Sequence, residues 1–132
     1  MKNKTGFSLI EIIFAIIVFA IIVSSLFPLI YLFVDFAYSN ILLEKSNILI
    51  NNTVSEINRL NPSLICNING LYKSDSYTTM PDFPEFKREI YVYDYNAGDT
   101  SIKKVHILTK YYVADQTKKE NKNETVFLKK CF

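Results

Sequence analysis

The chain has 132 residues, 15 basic and 13 acidic side chains, and a formal net charge of +2. A balance this close to neutral excludes a protein that holds nucleic acid or an acidic partner through bulk charge alone. With one histidine, two distant cysteines and no CxxC, HExxH, phosphate-loop or calcium-loop pattern, the sequence shows no enzymatic or metal-site constellation and implies no cofactor.

Residues Met1 to Gly6 form a short basic leader carrying Lys2 and Lys4. Gly6-Phe7 is followed by Glu11 and then by 23 residues, Ile12 to Val34, without a charge. About 20 apolar residues rising 1.5 Å each cross the hydrocarbon core of a bilayer, so this segment can span one. The positive leader places the N-terminus in the cytoplasm and the bulk of the chain outside. A carboxylate just inside the apolar stretch costs about 2.5–3.5 kcal/mol on insertion scales unless a positive group compensates it. A cut between Gly6 and Phe7 would create that group: an α-amine four residues before Glu11, on the same helical face and about 6 Å along the axis. A second copy shifted along the helix could offer its amine to this Glu11, and the pairing would set neighbouring helices in register. A secretory signal peptide has a shorter apolar region, and Val23-Ser24-Ser25 is a poor small-x-small cleavage site. An uncleaved anchor accounts for length and topology but leaves Glu11 and Gly6-Phe7 without a reason.

From Asp35 to Leu60 the pattern continues as an amphipathic helix with Leu42, Leu49, Val54, Ile57 and Leu60 near one face, ended by Asn61-Pro62. Its Asn-rich polar face reads as solvated surface. Residues 63–85 suggest a short strand near Leu64 to Ile68 and then a loop punctuated by Asn69-Gly70, Pro81 and Pro84. Phe86 to Tyr95 and Ile102 to Val113 alternate as a strand pair, with one aliphatic face and one amphipathic face rich in tyrosine. Asn96 to Thr100 forms the hairpin loop. A polar stretch, Asp115 to Glu124, precedes a last strand, Thr125 to Cys131. The helix and the sheet have little to bury against except each other, which predicts an α+β fold: a long N-terminal stem helix whose outer half packs on a small antiparallel sheet of three to four strands.

Cys66 and Cys131 can pair across an exported head or remain two free thiols, according to the redox compartment. His106 sits mid-strand with no catalytic partner at motif spacing and reads as structural. The C-terminal third is basic: residues 100–132 hold 8 basic and 3 acidic side chains, against 3 and 6 in residues 61–99. Lys103, Lys104, Lys110, Lys118, Lys119, Lys122, Lys129 and Lys130 could gather on one side and bind DNA, with tyrosines 91, 93, 95, 111 and 112 as stacking surfaces.

The stretch GFSLIEIIFAII resembles the class III leader junction of type IV pilins and pseudopilins. The resemblance implies that a prepilin peptidase cleaves after Gly6 and methylates Phe7, that Glu11 serves register and assembly, and that Pro28 kinks or locally melts the stem. It implies a ladle-like pilin fold divided into a leader at 1–6, a membrane or filament-core helix at 7–34, its amphipathic continuation at 35–61 and a sheet head at 62–132. The short head and the KKVHILTKYY strand are similar to the minor, I-type pseudopilins. The function implied is that of a minor pilin or pseudopilin that joins a type IV pilus or related filament through its N-terminal helix, at the tip or initiation complex. DNA uptake through the basic C-terminal region is the alternative. The partners implied are other pilins, the peptidase, an inner-membrane assembly platform and, before assembly, lipid. The chain would first cross the cytoplasmic membrane with its head outside and later enter a surface filament or pseudopilus.

Overall fold

The first helix begins where the sequence supplies its own cap and ends where the apolar period runs out. In the computed structural model, which describes residues 8–97, 99–112 and 120–131, helix α1 spans Leu9–Arg59 and a short helix α2 spans Pro62–Cys66. Four strands follow: β1 Gly70–Asp75, β2 Phe86–Asn96, β3 Asp99–Tyr112 and β4 Glu120–Lys130. The chain divides into two compact units at Ala37 and Tyr38.

In the first unit α1 is the one helix, among the described residues, long and apolar enough to cross a membrane. Its large apolar side chains from Leu9 to Val34, all but the half-buried Val23, are exposed in the single chain. The helix runs through Pro28 without a break. Proline removes one donor and leaves the carbonyl four residues back, that of Ser24, without its usual partner. The hydroxyls of Ser24 and Ser25 meanwhile donate to the carbonyls of Ala20 and Ile22, both at 2.7 Å. Such back-bonding bends helices slightly and is common where the ladder is already weakened.

In the second unit the buried face of α1 is Leu42, Ser46, Leu49, Ile50, Thr53 and Ile57. Spacings of 3 and 4 make this a true helical stripe. Val54 and Leu60, expected near this face, are only partly buried and pack against the core. Ser46 and Thr53 take the centre because small side chains let the helix approach the sheet, and each hydroxyl is satisfied there. Ser46 Oγ lies 2.6 Å from Thr109 Oγ1, and Thr53 donates to the Leu49 carbonyl at 2.7 Å.

Where a strand is expected near Leu64 to Ile68, the chain forms α2. The side chain of Asn61 accepts from the Ser63 N–H at 3.1 Å, and Pro62 occupies the first turn, a start signal that outweighs two apolar residues too few to set a period. Gly70, at φ +124°, then opens β1 inside the segment expected to be loop. The sheet is an antiparallel meander in the order β1-β2-β3-β4. The hairpin between β2 and β3 is tighter than expected, since Asn96 pairs with Asp99 across an irregularity that follows Asp94. At the other end β4 starts at Glu120, so the polar residues up to Glu124, read as a connection, are strand. Each of them has a partner on β3, from Glu120 opposite Tyr112 to Glu124 opposite Leu108, and pairing with an existing strand overrides low β propensity. Val113, expected to close β3, lies outside the described residues.

The face of β2 and β3 toward α1 buries Phe86, Ile90, Val92, Val105, Ile107 and Tyr111. Two cations share that face. Arg88 donates to Asp75 from Nε at 2.8 Å and from Nη2 at 2.5 Å, and its Nη1 reaches Thr53 at 2.9 Å and Glu56 at 3.2 Å. Lys103 pairs with Asp94, which also accepts from Asn69. Lys129 donates to the carbonyls of Ile57 and Asn58, at 3.3 and 3.1 Å, and so ties β4 to the end of α1. Two residues later Cys131 is joined to Cys66 of α2 by a disulfide, with Cα atoms 5.7 Å apart.

Arg88→Ala leaves the Asp75 carboxylate with Lys73 alone, at 4.0 Å, and should cost about 3 kcal/mol of head stability in denaturant unfolding of the full chain in detergent. Under the same conditions Lys122→Ala, on an exposed site, should stay within about 0.5 kcal/mol of the parent.

Candidate functional site

The residues that give the N-terminus its chemistry stand on the first turn of α1. Glu11 Oε2 accepts a hydrogen bond of 2.9 Å from the backbone N–H of Ser8, while the N–H groups of Glu11 and Ile12 donate to the Ser8 carbonyl at 3.0 and 3.3 Å. This reach of the third helical residue back to the cap is half of a capping box, and its signature, Ser8-Leu9-Ile10-Glu11, is plain in the sequence. Sequence reasoning assigned Glu11 an intermolecular partner and overlooked Ser8, although the S-x-x-E spacing would have found it. In the single chain, then, the carboxylate is held toward the N-terminus by one oxygen while Oε1 has no hydrogen bond among the described residues. A negative group there also complements the positive end of the helix dipole. Gly6 and Phe7 lie outside the described residues.

The lysines do not form one basic face. Lys103 is buried toward α1, and Lys129 is committed to the helix end. Lys104, Lys110, Lys122 and Lys130 belong to the opposite face of the sheet, where Lys110 pairs with Glu89 at 3.3 Å. Lys118 and Lys119 lie outside the described residues. The division follows from the period of a strand: neighbours in sequence such as Lys103 and Lys104, or Lys129 and Lys130, must point to opposite faces.

On that outer face Tyr91 and Tyr93 lie nearly parallel with ring centroids 6.2 Å apart. Tyr91 also meets the His106 ring at 6.4 Å. His106 Nε2 lies 3.4 Å from Glu124 Oε2 without a hydrogen bond. The ring packs across the strands between Tyr91 and Val126. Among the described residues no group of three His, Cys, Asp or Glu side chains could hold a metal ion.

Glu89 is the most connected carboxylate of this face. The ammonium of Lys87 at 2.8 Å, with further hydrogen bonds from Lys110 and Tyr91, holds its carboxyl below the usual range against the opposing effect of burial. A depressed folded pKa contributes stability above the unfolded value, and that contribution disappears as pH falls through the folded one. Glu89→Gln should therefore destabilise the head by about 1 kcal/mol at neutral pH and by nothing measurable near about pH 2, as read from paired urea titrations.

Against known proteins, a family model described as the prokaryotic N-terminal methylation motif matches residues 1–27. No curated protein and no solved structure matches the chain. The match covers Gly6-Phe7, Glu11 with its cap at Ser8, and the apolar run as far as Phe27. Over its first 27 residues the chain therefore carries a match to the prokaryotic N-terminal methylation motif.

Proposed function

We propose that the chain is a minor pilin or pseudopilin. In this reading residues 1–6 are a leader removed by a prepilin peptidase, Phe7 becomes the methylated N-terminus, and the helix from 7 to 34 waits in the cytoplasmic membrane before entering a filament. The continuation to residue 61 and the head from 62 to 132 stand outside, the N-terminus having been cytoplasmic. The observation that carries the reading is the carboxylate of Glu11 at the head of the uncharged stretch Ile12 to Val34, within the match to the methylation motif.

The physics of assembly follows from that carboxylate. In lipid its charge is costly, and one cap hydrogen bond offsets only part of the cost. The amine released at Phe7 of a neighbouring copy offers the remaining compensation, so docking in register is favoured over any other offset along the helix. Apolar side chains exposed from Leu9 to Val34 then exchange lipid for one another. The small head supports a minor subunit of the tip or initiation complex, and an assembly platform in the inner membrane would extract it. Pro28, which weakens the ladder at Ser24, supplies a place where the stem can bend or open as it leaves the bilayer.

Glu11→Gln separates cap from charge, since glutamine also serves in a capping box. It should insert and be processed, yet enter filaments about tenfold less than the parent, as measured by quantitative blotting of sheared filaments. Incorporation equal to the parent would refute charge pairing. Gly6→Val should leave the leader attached, visible as an intact mass that retains Met1 to the altered residue.

A further inference from the structure

The head unit carries two exposed apolar surfaces, on opposite sides, and among their charges Glu44 stands on one and Lys104 on the other. On the side of α1 away from the sheet, Ile41, Glu44 and Ile48 follow one another at spacings of 3 and 4 on a single helical face. The two isoleucines are 52% and 45% exposed. On the sheet face away from α1, register aligns Tyr93, Lys104 and Leu128 in one row and Leu71, Tyr91, His106 and Val126 in the next. Leu71, Tyr93, Val126 and Leu128 are all between 42% and 55% exposed. Glu44 and Lys104 are both exposed, and neither has a hydrogen bond or ion pair among the described residues. Of the other charges beside these surfaces, Lys45 pairs with Glu85, Lys87 and Lys110 pair with Glu89, Glu124 stands 3.4 Å from His106 and Lys130 is engaged, while Lys122 lies opposite Lys110 at the far end of the ladder.

Contiguous apolar patches of this kind mark protein contacts, and a lone cation among tyrosine and leucine asks for an anion in an apolar setting. We propose that the outer sheet face around Lys104 receives the Ile41–Glu44–Ile48 stripe of a second copy of this chain. The sheet would then have a helix on both faces, its own α1 on one and the neighbour's on the other, which is a standard way of covering a sheet. The contact is heterologous: each copy uses its helix stripe toward one neighbour and its sheet toward another, so the ends of any series keep one surface free. It is a head contact additional to the stem pairing proposed above, and it does not require Glu11.

The test is sedimentation velocity of the full chain in detergent micelles over a range of protein concentration. The parent should self-associate. Lys104→Glu and Glu44→Lys should each weaken association about tenfold, and the two reversals together should restore it. Both sites are exposed, so folding is not at stake, and circular dichroism of each variant checks it. Glu11→Val should associate through the head as the parent does. A monomeric parent, single reversals without effect, or a double variant as weak as the singles would overturn the proposal. Association lost in Glu11→Val but indifferent to the head reversals would overturn it too, and would leave the stem reading standing.

Discussion

One carboxylate at the start of a 23-residue uncharged stretch, Ile12 to Val34, constrains the N-terminal part of this protein. Glu11 must be compensated, and the chain offers a partial answer within its own first turn, the Ser8 N–H. A hydrogen bond to a charged acceptor stabilises the helix start but leaves most of the cost of an anion in lipid unpaid. The remaining demand is directional. In the proposed assembly it is met by a positive group at one height along the helix, so the residue that is costly for a single chain in lipid would also make one packing register preferable to its neighbours.

The head unit meets a related problem with different means. Its helix–sheet layer is not purely apolar: Ser46, Thr53, Thr109, Arg88 and Lys103 are all buried in it. Every one of these polar groups has a partner across the layer or beside it, the condition under which burial is tolerated. Arg88 couples β2 to β1 through Asp75 and to α1 through Thr53 and Glu56, while Lys129 and the Cys66–Cys131 bridge gather the ends of α1, α2 and β4. Such contacts specify one helix register on the sheet, because sliding α1 by a single residue would leave charges buried without partners.

The outer sheet face follows the opposite logic. Cross-strand pairing sorts it into rows, with Lys87, Lys110 and Lys122 level with one another and Glu89 and Glu124 in the next row. Like charges set directly opposite are unfavourable, and the neighbouring carboxylates relieve them. Beyond those rows the face turns aromatic and aliphatic and stays exposed.

Legibility tracked the range of the forces involved. The membrane-length helix, the leader junction and Glu11 could be read directly, because apolar length, charge and motif spacing are local properties. So could the β2–β3 pair, whose alternation is strong from Phe86 to Tyr93. The capping box at Ser8 was equally local and was overlooked. What escaped was set by partners distant in the chain. Ser46 and Thr53 look like surface residues until Thr109 and Arg88 are placed against them. Glu120 to Glu124 look like a connection until β3 offers them a ladder. The lysines look like one basic patch until the strand period divides them between faces. Sequence by itself therefore determined the membrane-length helix, since its length and apolarity are local properties of one segment. Only the tertiary structure decided which polar groups are buried and which apolar ones are left outside, since both depend on which strands become neighbours.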